Sequence, residues 1–126
     1  MKQLLFIGLG GFIGSILRYL VSKLNLSVHF LSIPIGTLTV NIVGSLVIGF
    51  IAGIAMKSEI ISPDLRLFLL VGICGGFTTF SSFSLENMML MQNGQYFTAL
   101  IYTLSSVFFS ILAVYMGYMI SNILQH

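Results

Sequence analysis

The polar side chains able to bind or move an ion stand inside long apolar stretches, at spacings that gather them on helix faces. Asn41 is flanked by Thr37 and Ser45 at four-residue spacing, and its amide brings donors and an acceptor that need partners where water is scarce. Further on runs Gly72-Ile73-Cys74-Gly75-Gly76-Phe77-Thr78-Thr79-Phe80-Ser81-Ser82-Phe83-Ser84-Leu85-Glu86-Asn87, where two adjacent glycines meet Thr78 and Thr79. Phe77, Phe80 and Phe83 alternate there with Thr78, Ser81 and Ser84. A third group, Tyr102, Ser106 and Ser110, recurs at four-residue spacing with Thr103, Ser105, Phe108 and Phe109 around it. Arg18 and Glu86 are the charged residues whose place in apolar sequence calls for a role.

These residue types favour an anion. Hydroxyls and amides supply donors, and no ring of fixed negative charge is built. A phenyl ring has a positive edge that stabilises a partly dehydrated anion when turned inward. A helix break where the paired glycines meet Thr78 and Thr79 would free backbone carbonyls, which suit a cation. Structural readings stand beside each of these. Asn41 and the hydroxyls serve equally as interhelical hydrogen bonds, the phenylalanine stripe as packing, and the glycine pair as a gentle kink. Glu86 reads as a proton or cation site, a charge-balancing element, or a carboxylate reaching the membrane interface. Arg18 either snorkels to headgroups or raises anion concentration in a vestibule, and Tyr19 beside it suits an interfacial anchor.

The elements that must position these residues follow from composition. Of 126 residues, 57% are hydrophobic and 6% charged, far from the balance a soluble domain needs to cover its wet surface. Lipid is the solvent. Four spans of the required length fit, at about Leu4 to Lys23, Ile33 to Met56, Leu65 to Met91 and Tyr96 to Ile123, and they must be helices to satisfy their own backbone. The expected fold is therefore all-α, one four-span unit over residues 1–126, its third helix broken near mid-membrane. The amino end resembles a signal peptide but lacks an Ala-x-Ala site, so it reads as the first span.

Three loops separate the spans. Leu24 to Ser32 is the first, with His29 in it, and Pro34 belongs to the opening turn of the second helix. Lys57 to Asp64 is the second, where Ser62 caps a helix, Pro63 takes its first position and Asp64 complements its dipole. Gln92-Asn93-Gly94-Gln95 is a tight turn that predicts antiparallel packing of the last two helices. Lys2, Lys57 and Arg66 fall on one side and Arg18 with Lys23 on the other, so charge barely specifies an orientation. Insertion both ways, and with it an antiparallel dimer, stands open beside a single orientation.

Small residues prepare close helix contacts in Gly10-x-x-x-Gly14, Ser45-x-x-x-Gly49-x-x-x-Gly53 and Gly72-x-x-x-Gly76. Several functions find no support. Cations are too scattered for nucleic acid, and lone Cys74 offers neither disulfide nor metal cluster. The glycines between Gly8 and Gly14 lack the strand a nucleotide loop requires, and His29 and His126 have no ligand neighbours. No catalytic triad or carboxylate pair appears, so an enzyme is not expected.

Three motifs taken together carry a resemblance along essentially the whole chain. They are Gly10-Gly11-x-x-Gly14-x-x-x-Arg18-Tyr19, Gly36-Thr37-x-x-x-Asn41-x-x-Gly44-Ser45 and Gly75-Gly76-Phe77-Thr78-Thr79-Phe80-Ser81-Ser82-Phe83. The sequence closely resembles the CrcB/Fluc family of small fluoride channels. That resemblance implies an antiparallel, dual-topology homodimer with two pores in a microbial cytoplasmic (inner) membrane, exporting fluoride passively and needing no soluble partner. It implies Asn41 as a pore-facing amide, Phe80 and Phe83 as rings contacting fluoride, and Ser81 with Thr79 in the polar lining. It further implies a break near Gly75 to Thr78, whose two carbonyls from each subunit hold a structural sodium ion. Arg18 would serve the vestibule, with Glu86 and Tyr102 along or near the conduction route. Two other classes remain: a small dual-topology proton-coupled drug exporter, which would want a carboxylate in the first span, and a structural membrane subunit.

Overall fold

The computed structural model describes residues 1–23 and 32–125. Most of the first loop, with His29, and the terminal His126 lie outside the described residues. Among the described residues, four helical stretches are long and apolar enough to cross a membrane. Helix α1 is Lys2–Ser22 and α2 is Ile35–Lys57, with Pro34 as the N-cap of α2, one place before its first turn. The third span divides into α3 (63–77), α4 (Ser81–Gln92) and residues 78–80 between them, of which Thr78 is extended. Helix α5 is Tyr96–Leu124.

Local chemistry explains the ends. The Leu65 N–H donates to Ser62 Oγ at 3.2 Å with Pro63 in the first turn, the cap its sequence promises. Gly94 closes α4 in the left-handed region at φ +76°, and the Gln95 N–H donates back to the Leu90 carbonyl at 2.8 Å. The ion pair between Lys2 and Asp64, 3.1 Å, puts the start of α1 and the start of α3 at one end of the bundle.

Small residues decide which helices pair. Helix α1 lies along α3, where a Cβ built on Gly10 would fall 2.8 Å from the Gly72 Cα, and one on Gly76 would fall 2.8 Å from the Gly11 carbonyl oxygen. Helix α2 lies along α5, with Gly49 against the Val114 backbone, Gly117 against Leu46 and Gly53 against Ser121. The α5 half of that seam is Ala113-x-x-x-Gly117-x-x-x-Ser121, a row of buried small residues complementing the one read in α2. The tight turn therefore does not make α4 the chief neighbour of α5; α2 takes that place, and α4 meets α5 through a few side chains.

The break falls at the carboxyl end of the expected stretch from Gly75 to Thr78. Gly75 and Gly76 continue the helix to Phe77, and the chain departs from it at Thr78, whose ψ is 156°. The glycine pair serves close packing on α1 instead. Residues Leu67–Cys74 ahead of it run as π-helix, a local widening often found near functional sites. Outward side chains such as Leu5, Leu9 and Phe12 on α1 and Leu104, Phe108 and Ile111 on α5 are exposed, as lipid-facing residues are.

Candidate functional site

Asn41 holds the break open. Its Nδ2 donates to the Thr79 carbonyl at 3.0 Å, and its Oδ1 accepts from the Thr79 N–H at 2.8 Å, so the amide pairs with one residue's backbone as a neighbouring strand would. In an unbroken helix the Thr79 N–H would bond the Gly75 carbonyl, and the Ser82 N–H the Thr78 carbonyl. Here the Ser82 N–H donates to Thr79 Oγ1 at 3.1 Å, which also lies 3.3 Å from Ser81 Oγ. Both carbonyls are thereby released from helical bonds. Thr78 Oγ1 donates back to the Cys74 carbonyl at 2.9 Å and finishes α3.

The break sets two opposite polarities side by side. The carboxyl end of α3 presents carbonyl oxygens, and the amino end of the 12-residue α4 presents N–H groups with its partial positive charge. Against them lies a cavity of about 340 Å³ lined by Asn41, Ser45, Ile48, Thr78, Thr79, Phe80, Phe83, Ser106, Val107 and Ser110. Asn41 keeps one N–H beyond its bond to Thr79. Ser106 Oγ is buried with no hydrogen-bond partner among the described residues, a hydroxyl whose bonding capacity is open at the cavity wall. Among the described residues, those lining the cavity include no titratable group.

Phe80 and Phe83 belong to this wall, and Tyr102 packs on Phe83 from outside the cavity. Phe83 is buried, its centroid 5.6 Å from that of Phe80 and 5.0 Å from that of Tyr102, both at tilted angles. Phe80 is 78% exposed, a ring with one face uncovered in the single chain. The three-residue stripe does not stay on one face, because the break intervenes: Phe77 packs toward Gly44 of α2 while Phe80 and Phe83 start α4. Ser81 is exposed near Phe80, and Gly75 is exposed on α3.

A second cavity, about 240 Å³, lies on the other side of Thr79, which lines both. Its wall includes Arg18, Tyr19 and Ser22 of α1, Thr37 of α2, and Ser82 and Glu86 of α4. Glu86 does not reach freely to the interface. Its Oε1 accepts from Thr37 Oγ1 at 2.6 Å and its Oε2 from Tyr102 Oη at 2.7 Å, so one carboxylate ties α2, α4 and α5. Tyr102 thus leaves the cavity of Ser106 and Ser110, turning its hydroxyl to Glu86 and its ring to Phe83. Arg18 lines this cavity together with Glu86. Ser15, Ser22 and Ser82 line it too; Ser82 belongs to the third-span motif, whereas Ser15 and Ser22 are single serines in an apolar span and carry little signal in sequence.

The geometry admits comparison with known proteins. The sequence model of the family described as "CrcB-like protein, Camphor Resistance (CrcB)" matches residues 5–118. A protein named "Fluoride-specific ion channel FluC" from Azobacteroides pseudotrichonymphae genomovar. CFP2 is 40% identical over 97% of this chain and 98% of its own. Proteins of the same name from Chlorobium chlorochromatii (strain CaD3) and Rhizobium meliloti (strain 1021) are 44% and 45% identical, over 91% and 93% of this chain and 88% and 94% of theirs. With four apolar helices and a match over nearly its full length, the chain belongs to the CrcB family of integral membrane proteins.

Proposed function

We propose that this protein is a fluoride-selective passive channel of a bacterial cytoplasmic membrane, working as an antiparallel homodimer with two pores. The observation that carries this reading is the cavity beside the break, where Phe80 and Phe83 face a donor-bearing wall of Asn41, Ser106 and Ser110 without a fixed charge. An anion leaving water needs donors to replace its hydration, and a strong cationic site would hold it instead of passing it on. Hydroxyls, the second Asn41 N–H, the ring edges and the amino end of α4 supply weaker attractions in succession. Arg18 gathers anions at one mouth. Membrane potential then drives the ion outward, about 2.3 kcal/mol per elementary charge per 100 mV. The relatives' printed name agrees.

Two features favour a second copy. Phe80 is too large a ring to leave at a pore with one side uncovered, and the near balance of basic residues permits insertion both ways. A structural sodium ion fits the same break: the Gly75 and Thr78 carbonyls, released from helical bonds, are hard oxygen donors, and two copies would supply four. When bound, the ion would supply positive charge that neutralises those carbonyls; the cavity's own residues carry the anion.

The test is release of ions from proteoliposomes, followed with a fluoride electrode while an ionophore carries potassium as counterion. Rapid fluoride release with negligible chloride release is expected. A folded, reconstituted protein that releases no fluoride would overturn the channel reading. Replacing sodium by choline throughout tests the cation: a lower thermal midpoint of the dimer is expected, and an unchanged midpoint would remove the ion from the account.

A further inference from the structure

Beyond the cavity, α4 and α5 share a contact that sequence and site description leave without a role. Asn87 is buried one turn below Phe83, and its Nδ2 donates to the Phe83 carbonyl at 3.1 Å. That carbonyl already closes the helical bond of the same turn, so the amide is held with its Oδ1 directed at α5. There it accepts from Thr103 Oγ1 at 3.2 Å. The neighbouring pair is Glu86 with Tyr102, so two consecutive residues on α4 meet two consecutive residues on α5.

The consequence is rotational. Helix α4 is detached from α3 by the break and has 12 residues, too few to hold its orientation without tertiary contacts. The apolar contacts of Phe83 and Leu90 with Ala99 and Tyr102 are non-directional, and the hydrogen bonds from Thr37 and Tyr102 both reach α4 at Glu86, so that one directional grip acts as a pivot. Asn87 projects about 100° further round the helix axis, so its bond to Thr103 blocks turning about that pivot. Phe83 stands one turn from Asn87 toward the amino end of the same short helix and Phe80 is its N-cap, so their aim at the cavity depends on the helix's rotation.

The geometry points to Asn87 and Thr103 as a positioning pair that sets the direction of the Phe80 and Phe83 rings, and with it conduction and anion selectivity. Neither side chain lines the cavity. The proposal rests on the channel reading above for its flux readout, and a second readout is independent of flux. Thr103→Val keeps the shape and removes the hydroxyl, stranding Asn87 Oδ1; Thr103→Ser restores the donor.

In proteoliposomes, Thr103→Val is expected to lower fluoride release about three- to twentyfold, the range of one interhelical hydrogen bond in lipid, and to raise the chloride-to-fluoride release ratio. Thr103→Ser is expected to recover both, at equal dimer content. The independent readout is the 19F resonance of 4-fluorophenylalanine placed at residue 83: one narrow line in the parent and in Thr103→Ser, a broadened or split line in Thr103→Val. Wild-type release with a single narrow line in Thr103→Val would overturn the proposal, as would a Thr103→Ser variant as impaired as Thr103→Val. Should Thr103→Val fail to fold, Asn87→Leu with Thr103→Val provides an apolar pair of similar bulk; a folded double variant with parental flux and line shape would equally overturn it. A parent that carries no fluoride yet shows the line-shape difference would defeat the channel reading alone.

Discussion

Asn41→Leu separates the structural work of the amide from any contact it makes with an ion. The substitution removes two hydrogen bonds, at 3.0 and 2.8 Å, and leaves the Thr79 N–H and carbonyl in the bundle without the partner that shaped them. Were these ordinary interhelical bonds in lipid, at about 0.6 kcal/mol each, the loss would be about 1.2 kcal/mol. Stranding two buried backbone groups costs more, about 1–3 kcal/mol apiece, so a loss of about 2–6 kcal/mol is expected. The chain has one escape. The Thr79 N–H can return to the Gly75 carbonyl if the break rewinds, and the stability loss then falls to the low end while α4 turns and the cavity closes. Reversible unfolding in mixed micelles measures the first quantity and fluoride release the second. Ser45→Ala, one turn along the same face, is the control and is expected to change stability by less than about 0.5 kcal/mol. Asn41→Leu with a stability loss under about 1 kcal/mol and parental fluoride release would refute the claim that this amide holds the break.

The aromatic wall and the helix seams give two further expectations. Phe83→Leu loses ring contacts to Phe80 and Tyr102, worth about 0.5–1.5 kcal/mol each, and should destabilise the protomer by about 1–3 kcal/mol, whereas the exposed Phe80→Leu should cost at most about 1 kcal/mol. Both are expected to slow fluoride release about tenfold, the equivalent of one aromatic contact, and parental release in either folded variant would remove that ring from the pathway. Gly49→Ala drives a Cβ into the Val114 backbone and should cost about 3 kcal/mol in micellar unfolding, the upper end for overpacking, while Gly8→Ala meets open space and should be neutral or stabilising by up to about 1 kcal/mol. Equal effects at the two glycines would contradict the α2 and α5 seam.

The four spans were legible because hydropathy over about 20 residues is a signal lipid imposes directly. The Ser62 and Pro63 helix start was legible for a similar reason, since a cap depends on neighbours in sequence. Features set by distant residues were less so. The paired glycines marked the third span as unusual, yet the chain breaks at Thr78 because Asn41, 38 positions earlier, captures the backbone of Thr79. Gly76 is needed against α1 whether the helix breaks or not. Helical spacing put Tyr102 with Ser106 and Ser110, but the reach of a tyrosine let its hydroxyl find Glu86 on another helix. The turn at Gly94 limits how far α4 and α5 can separate and leaves their packing to small residues, whose complementary row in α5 shows only once α2 lies against it.

A fluoride channel must pass fluoride and reject chloride at the cavity beside the break. Current through the purified protein in a planar bilayer, with a fluoride gradient opposing a chloride gradient, tests it most directly. The expected current reverses at the fluoride equilibrium potential and falls with Phe80→Leu. Reversal at the chloride equilibrium potential, or no current from a folded and inserted protein, would contradict the channel reading.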